Sequence, residues 1–111
     1  MDSHESPIAT FLPQVAGLAR FVPDRMQKLD CVATDRLLLG LNCFEPGQTQ
    51  RVHAHGGADK FYLILSGRAK LVVGSEWRDC EAGDLVFAAA GVEHGVEVAY
   101  ERTVMLVGIT R

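Results

Sequence analysis

Residues 47–67 read GQTQRVHAHGGADKFYLILSG and join a histidine pair to a strongly apolar run. His53 and His55 lie in a segment expected to be extended, where alternate side chains leave the same face about 6.6–7 Å apart at Cα. Two imidazoles at that spacing can bind one ion. The run Phe61 to Leu65 that follows is rich in residues favoured in strands. The stretch therefore predicts β structure that carries a candidate metal site.

A second stretch, residues 83–94, reads GDLVFAAAGVEH and ends in another histidine, His94. An isolated pair such as His53 and His55 is often two surface side chains, so the third histidine matters. A closed barrel could bring His94 across to the pair, and zinc, iron, nickel and copper all accept imidazole nitrogen at about 2.0–2.2 Å. Three histidines alone do not identify the metal.

After Cys31, residues typical of turns occur at intervals of about 8–12 residues. This regular spacing predicts many short strands. Several of these strands are apolar on both alternating faces, so both faces of the sheet should be covered. The predicted fold is all-β, a double-sheet jelly roll or small barrel. The predicted strands are Arg36 to Asn42, Phe61 to Leu65, Ala69 to Val73, Leu85 to Ala88, Val96 to Tyr100 and Thr103 to Ile109.

The first thirty residues differ from the rest because three of the four prolines, Pro7, Pro13 and Pro23, fall there and break any helix. We predict an extended N-terminal arm over residues 1–30 and a single barrel domain over residues 31–111. The arm is too apolar for a solvated tail, so it should pack on the barrel or on a partner subunit. The surplus of apolar surface also predicts a homodimer.

Length and composition exclude several classes of protein. A chain of 111 residues fits one domain, and a net charge of −3 without basic clusters argues against nucleic-acid binding. No apolar run approaches the ~20 residues that cross a bilayer, and the acidic start is unlike a secretory signal, so we expect a cytoplasmic protein. The three cysteines, Cys31, Cys43 and Cys80, predict no disulfide framework and are expected in the core, with Cys43 the best candidate for a functional thiol.

Together the two stretches resemble the motifs of the cupin superfamily, G-x5-H-x-H-x3–4-E-x6-G and G-x5-P-x-G-x2-H-x3-N. The resemblance implies the conserved jelly-roll barrel, also called a double-stranded β-helix. It implies that His53, His55 and His94 point into the barrel as ligands of a divalent transition metal: iron, zinc, manganese, nickel or copper. The sequence departs from the pattern where Lys60 replaces the glutamate ligand, Ala89 the proline and Val98 the asparagine.

Lys60 admits four interpretations. In the first, Lys60 and Gly67 keep the six-residue spacing of the family motif. Lys60 and Tyr62 then point inward, and the Lys60 ammonium contacts a ligand beside a metal held by three histidines. Alternatively, Asp59 replaces the missing carboxylate through a one-residue bulge, Lys60 turns outward into a surface ion pair, or metal binding is lost. The inward lysine is our prediction. Tyr62 is two residues from Lys60 along the strand and so lies on the same face. It is a second candidate catalytic residue if its hydroxyl faces the cavity, although tyrosine in a strand often serves packing.

Two main functional hypotheses follow. In the first, the protein is a metal-dependent enzyme acting on a small anionic organic substrate, with Lys60 as the anion anchor. The resemblance then implies an oxygenase first, because cupin sites with three histidines and no glutamate occur in thiol and diketone dioxygenases; an isomerase-type enzyme is also possible within the superfamily. In the second, the pocket binds a small molecule without turnover, as a sensor or storage module. A purely structural role is a third hypothesis, since fold does not determine function.

Overall fold

The structure, a computed structural model, describes residues 9–111. After a short 3-10 helix at Val15–Leu18 the described chain consists of strands joined by turns. No helix in residues 9–111 is long and apolar enough to cross a membrane. The strands are β1 Gln27–Ala33, β2 Leu37–Phe44, β3 Gln50–His53, β4 Lys60–Ser66, β5 Arg68–Val73, β6 Glu76–Glu81, β7 Leu85–Ala88, β8 His94–Ala99 and β9 Thr103–Thr110.

The nine strands form two antiparallel sheets that pack face to face. One has the order β1-β2-β9-β4-β7 and the other the order β3-β8-β5-β6. Neighbours in each sheet are mostly distant in sequence, which is the jelly-roll arrangement. The predicted all-β fold is confirmed. All six predicted strands are present, with ends that differ by at most two residues.

The core lies between the two sheets and explains the alternation along β4. Lys60, Tyr62 and Ile64 are all buried, and the residues between them are only half-buried. The same alternation on the other strands completes an apolar cluster inside the barrel. Its buried members are Phe44, Tyr62, Ile64, Ala69, Leu71, Cys80, Val96, Ala99, Met105 and Val107.

A second cluster lies on the outer face of the five-stranded sheet and explains why its strands are apolar on both sides. Leu41, Cys43 and Val104 are buried there, under Val15, Ala19 and Phe21 from the segment that precedes β1. Strand β1 begins at Gln27 and so crosses residue 30, where the arm was predicted to end. Residues 1–8 of that arm lie outside the described residues, and the domain division stays a prediction.

The outer cluster corrects the expectation for Cys43. Its neighbour Asn42 faces the interior, whereas Cys43 faces the outer cluster beside Leu41. Burial raises the pKa of the Cys43 thiol, with smaller opposing contributions from Arg20, so the nucleophilic thiolate is disfavoured. Cys43 is a core residue that faces away from the histidines. It is therefore not a candidate functional thiol of the metal site.

Candidate metal centre

The fold brings the three predicted histidines together at one end of the barrel. His53 is the last residue of β3, His94 is the first of β8, and the two are direct partners in the antiparallel register. His55 follows two residues after His53, in the loop before β4. Gly95 makes the strand approach possible, because a Cβ there would lie 2.8 Å from the Gln50 carbonyl oxygen. Gly95 thus serves close strand packing.

The histidine side chains are close enough to share one ion. One ring nitrogen from each of His53, His55 and His94 lies within 4.8 Å of the other two. The ring centroids are 4.5, 4.9 and 5.3 Å apart. Two nitrogens bound to the same ion at ~2.1 Å are at most ~4.2 Å apart, so side-chain movements of under about 1 Å would complete the coordination.

Backbone carbonyls select the tautomer that metal binding needs. The Nδ1 atom of His94 lies 2.9 Å from the Val92 carbonyl oxygen, and Nδ1 of His53 lies 2.8 Å from the Arg51 carbonyl oxygen. A carbonyl can only accept, so each Nδ1 carries the proton and each Nε2 has a free lone pair. The Nε2 atoms of His55 and His94 are buried and have no hydrogen-bond partner in the described structure. The histidine group therefore fits a divalent metal ion.

The surroundings also favour the neutral forms of His55 and His94, and the neutral imidazole is the form that binds metal. Burial lowers the pKa of His94, and the positive charge of Lys60 lowers it further, against an opposing hydrogen bond to Val92. The pKa of His55 is lowered first by burial and then by His53 and Lys60. No carboxylate belongs to the group in residues 9–111, so its ligand set is three neutral nitrogens.

Lys60 points into the barrel and is only 2% exposed. Its ammonium lies 4.7 Å from the centroid of the Tyr62 ring, a cation–π contact that partly replaces lost hydration. Within residues 9–111 no carboxylate lies within 4 Å of it. Burial, assisted by the charge of Lys28, lowers the pKa of Lys60 to about 8. The interpretation of Lys60 as one half of a surface ion pair is wrong, because a side chain this buried cannot reach the surface.

Asp59 does not replace the missing carboxylate. Its side chain is exposed, and its Oδ1 atom accepts a hydrogen bond of 2.9 Å from the backbone N–H of Ala90. Its own backbone N–H donates to Thr110 Oγ1 at 2.9 Å. Asp59 thus braces the loop before β4 against the turn that leads to His94. In that turn, Val92 N–H donates to the Ala89 carbonyl oxygen at 3.0 Å, so the turn forms although Ala89 is not a proline.

Tyr62 is fully buried, and its hydroxyl donates a hydrogen bond of 2.8 Å to Oε1 of Gln50. Burial raises the pKa of Tyr62, so the phenol stays protonated. The centroid of the Tyr62 ring lies 6.2 Å from that of His94 and 4.7 Å from the ammonium of Lys60. Tyr62 is inward as predicted, with its proton committed to Gln50. Its catalytic role stays a prediction.

Two polar residues of the barrel interior, Asn42 and Gln50, were not predicted from the sequence. Both are more than nine-tenths buried, and each has an amide nitrogen without a hydrogen-bond partner in the described structure. Asn42 left a signal, because it is a polar residue inside the apolar run 37–44. Gln50 left none: it is three residues from His53, so regular alternation would place the two on opposite faces, and only the register shift between them changes this.

Comparison with known proteins agrees with this fold and this site. The family model described as "Cupin domain" matches residues 40–110, well over half of the chain. The chain belongs to the cupin family. The expected resemblance is thereby confirmed, and the match spans the histidines, Lys60 and seven complete strands, β3 to β9.

Individual proteins add further likenesses. TT1209 from Thermus thermophilus is 36% identical over 87% of this chain and 93% of its own, with a TM-score of 0.83. KdgF from Halomonas sp. is 22% identical over 82% of this chain and 83% of its own, with a TM-score of 0.75, which supports the fold alone. An uncharacterized protein of Streptomyces coelicolor, SCO3923, is 38% identical over 58 residues. That match covers 50% of this chain and about half, 52%, of the relative.

Proposed function

We propose that this cupin holds one divalent transition metal ion through His53, His55 and His94 and acts there on a small anionic organic substrate. The observation that carries the proposal is the convergence of three imidazoles, two of them with buried Nε2 atoms that have no other partner among the described residues. Iron, zinc, manganese, nickel and copper all suit such a ligand set.

Charge explains why the ligand should be an anion. Three neutral imidazoles leave the full charge of a divalent ion uncompensated, and the ammonium of Lys60 adds to it. No carboxylate belongs to the histidine group in the described part of the chain, and none pairs with Lys60 there. A buried excess of positive charge is costly unless an anion shares the space. A ligand that supplies negative charge is therefore favoured.

A metal bound there would supply Lewis-acid or redox chemistry at its open coordination positions. The chain itself contributes the rest. Lys60 attracts the anion, the buried walls around Tyr62 exclude water, and Gln50 holds the Tyr62 hydroxyl in place. With a pKa of about 8, Lys60 can also exchange a proton near neutral pH. A dioxygenase of small organic acids is the specific reaction we propose.

A binding protein without turnover is the second candidate. It is favoured by one observation: apart from Lys60, no interior group is free to act as a general base in the described part of the chain. The histidines face the proposed ion, Tyr62 is committed to Gln50, and no carboxylate lies in the histidine group within residues 9–111. Oxygen consumption by the iron-loaded protein, supplied in turn with small carboxylates, thiols and diketones, distinguishes the two candidates. Ligand binding without consumption favours the sensor or storage role.

The metal itself is tested by elemental analysis of protein purified without added metal. We expect close to one transition-metal ion per chain, and its loss in His94→Ala. Cys43→Ala is the matched control, because it removes a potential ligand that faces the opposite side of β2. Metal-free wild-type protein that also fails to bind added Zn²⁺, Fe²⁺ or Co²⁺ would contradict the proposal.

Lys60 provides a second test through two substitutions with opposite effects. Lys60→Glu restores the carboxylate of the family motif and should tighten metal binding while weakening an anionic ligand. Lys60→Met should weaken the anionic ligand and leave the metal bound. The measurement is calorimetric titration with metal and then with ligand. Unchanged affinities for both in both variants would remove Lys60 from the site.

We also propose that the protein is a cytoplasmic homodimer. Large apolar side chains remain exposed at the free edges of the two sheets: Trp77 on β6 is 59% exposed, and Leu85 and Phe87 on β7 are 66% and 58% exposed. Surface of this kind often marks a contact with a second chain. Sedimentation should give about twice the chain mass of 12.1 kDa at micromolar concentration. A 12.1 kDa particle would contradict the dimer, and fractionation of the source cells tests the location.

A further inference from the structure

The inner face of the five-stranded sheet carries a second group of polar side chains, which includes Lys60. A cavity of about 50 Å³ lies between β1, β2, β4 and β9. Its polar lining consists of Lys28, Asp30, Asn42 and Lys60, and the remaining walls are backbone and aliphatic side chains. In the antiparallel register Lys28 is directly opposite Asn42. These groups are not part of the proposed metal ligand set.

The donors in this cavity lack acceptors. Asn42 is 4% exposed, and its Nδ2 atom has no hydrogen-bond partner in the described structure. Lys60 is 2% exposed and has no carboxylate within 4 Å among residues 9–111. Leaving such donors buried without acceptors is unfavourable, so native proteins rarely retain them without a reason. An acceptor from outside the chain would satisfy both.

The charge and the volume of the cavity limit which acceptor can bind there. Two ammonium groups and one carboxylate, that of Asp30, line the cavity, so its lining carries a net positive charge. Asp30 and Lys28 are exposed at the mouth, whereas Lys60 and Asn42 are buried. A single water needs at least ~10–15 Å³ on the same measure, so about 50 Å³ holds a group of only a few heavy atoms. A carboxylate has three heavy atoms and accepts several hydrogen bonds at its two oxygens.

We infer that Lys60, Asn42 and Lys28 form a recognition site for a carboxylate group of the ligand. Lys60 supplies the buried charge, Asn42 donates from Nδ2 to one oxygen, and Lys28 closes the site from the mouth. Because Lys28 also lines a neighbouring pocket with Gln50 and His53, a carboxylate held there directs the rest of a small ligand towards the histidines. This last step rests on the proposed function, whereas binding of the carboxylate itself does not.

The test uses metal-free, full-length protein at pH 7 and three probes: acetate, acetamide and inorganic phosphate. Binding is followed by NMR through the backbone amide signals of residues 28, 42 and 60. Acetate should produce saturable shifts at these signals, and acetamide, its neutral counterpart, should bind at least about tenfold more weakly because it lacks the charge. Phosphate should also bind more weakly than acetate, because it is larger.

Substitutions locate the site. Asn42→Leu should weaken acetate about tenfold, and Lys60→Met should weaken it more. Lys28→Gln, at an exposed position that does not endanger folding, should weaken it about threefold. Lys70→Met is the matched control, since Lys70 lies over the Trp77 ring on the other sheet, 4.0 Å from its centroid. Equal binding of acetate and acetamide, or acetate binding that none of the three substitutions alters, would overturn the inference.

A separate Co²⁺ titration, followed by visible absorption, keeps the two proposals distinguishable. If Co²⁺ binds and acetate does not, the carboxylate site is wrong and the metal site stands. If acetate binds with the expected pattern and Co²⁺ does not, the carboxylate site stands and the proposed function fails.

Discussion

The two halves of the barrel interior are built from opposite chemistry. In one half, Phe44, Ile64, Leu71 and Met105 are at most 2% exposed and bury only apolar surface. In the other half, His94, Lys60, Asn42 and Gln50 are at most 7% exposed and His53 and His55 are half-buried, yet four side-chain nitrogens of this half have no hydrogen-bond partner in the described structure. The first half stabilises the fold through burial. Burial of the unpartnered polar groups in the second half opposes folding, and this cost is the physical basis of the metal and ligand sites that we propose there.

The largest effect is expected in the apolar half. Phe44→Ala should lower the free energy of unfolding by about 3–5 kcal/mol, because it removes a fully buried ring and leaves a cavity. Urea denaturation measures this change. Val52→Ala, at a position on β3 that is 42% exposed and outside the proposed dimer contact, should change stability by only about 0.5 kcal/mol. Similar losses of stability in both variants would contradict the assignment of Phe44 to a stabilising apolar half of the interior.

In the polar half, Lys60→Met should have the opposite sign and raise the free energy of unfolding by about 3 kcal/mol at pH 7. The pKa of Lys60 falls from 10.5 to about 8 on folding, and each unit corresponds to ~1.4 kcal/mol. Below pH 8 the penalty is fully present, because the folded protein must hold a charged amine that the unfolded chain hydrates freely. As the pH rises from about 8 towards 10.5, the penalty is relieved.

The measurement is urea denaturation of wild type and variant at pH 7 and pH 10, in chloride buffers without carboxylates. The gain should be largest at pH 7 and small at pH 10. A destabilising effect of Lys60→Met at pH 7 would show that the buried ammonium already has a compensating partner.

Metal addition should stabilise the folded protein through the histidines, not by relieving the cost of burying Lys60. A divalent ion at a free concentration of 100 times its dissociation constant should raise the free energy of unfolding by about 2.7 kcal/mol. Burial lowers the pKa of His55 and His94, so the folded protein resists their protonation. Both the stability from these groups and the metal affinity should be fully present above the ordinary histidine pKa of 6.5 and decline as the pH falls below it.

Thermal unfolding with and without Zn²⁺ at pH 7.5 and pH 5.5 checks this expectation. Stabilisation by Zn²⁺ should be smaller at pH 5.5 and absent in His94→Ala. A response to Zn²⁺ that is the same at both pH values, or that survives His94→Ala, would place the ion elsewhere.

The smallest effect tests the boundary between the two halves. Tyr62→Phe keeps the buried ring but removes the hydroxyl that donates to Gln50, and it should cost about 1–2 kcal/mol. Tyr100→Phe is the control, because Tyr100 is exposed and donates to Asp79 at the surface, and we expect little change there. Urea denaturation measures both. Equal effects would mean that Gln50 finds another partner when the hydroxyl is lost.

Sequence patterns predicted most of the fold because the strands bury alternating side chains. They missed β6 as a strand: residues Glu76 to Glu81 form an edge with a single buried side chain, Cys80, and so have no apolar periodicity. They also assigned residues 27–30, the first part of β1, to an extended arm, although β1 pairs with β2 from Gln27 onward. In both cases the strand is held by backbone pairing, which leaves little trace in residue type.

The site was predictable to a similar degree and for related reasons. His53, His55 and His94 carry recognisable spacing, and the inward direction of Lys60 followed from strand parity; both geometric expectations are confirmed. Gln50 could not be placed, because its position depends on a local change of register. Cys43 faces the outer cluster because its neighbour Asn42 faces the interior, and the prediction for Cys43 did not consider this alternation. Metal, substrate and turnover stay predictions.

The register shift between Gln50 and His53 has a consequence for how this site could be lost or gained over time. Because side chains alternate along a strand, removing or inserting one residue in this four-residue strand would turn His53 away from the interior. The pairing of β8 with β3 would change, whereas the five-stranded sheet and the pairing of β8 with β5 do not involve this segment. Changes in chain length at this point would therefore remove or create the proposed metal site within a largely retained scaffold, a route to divergence that needs no substitution of a ligand.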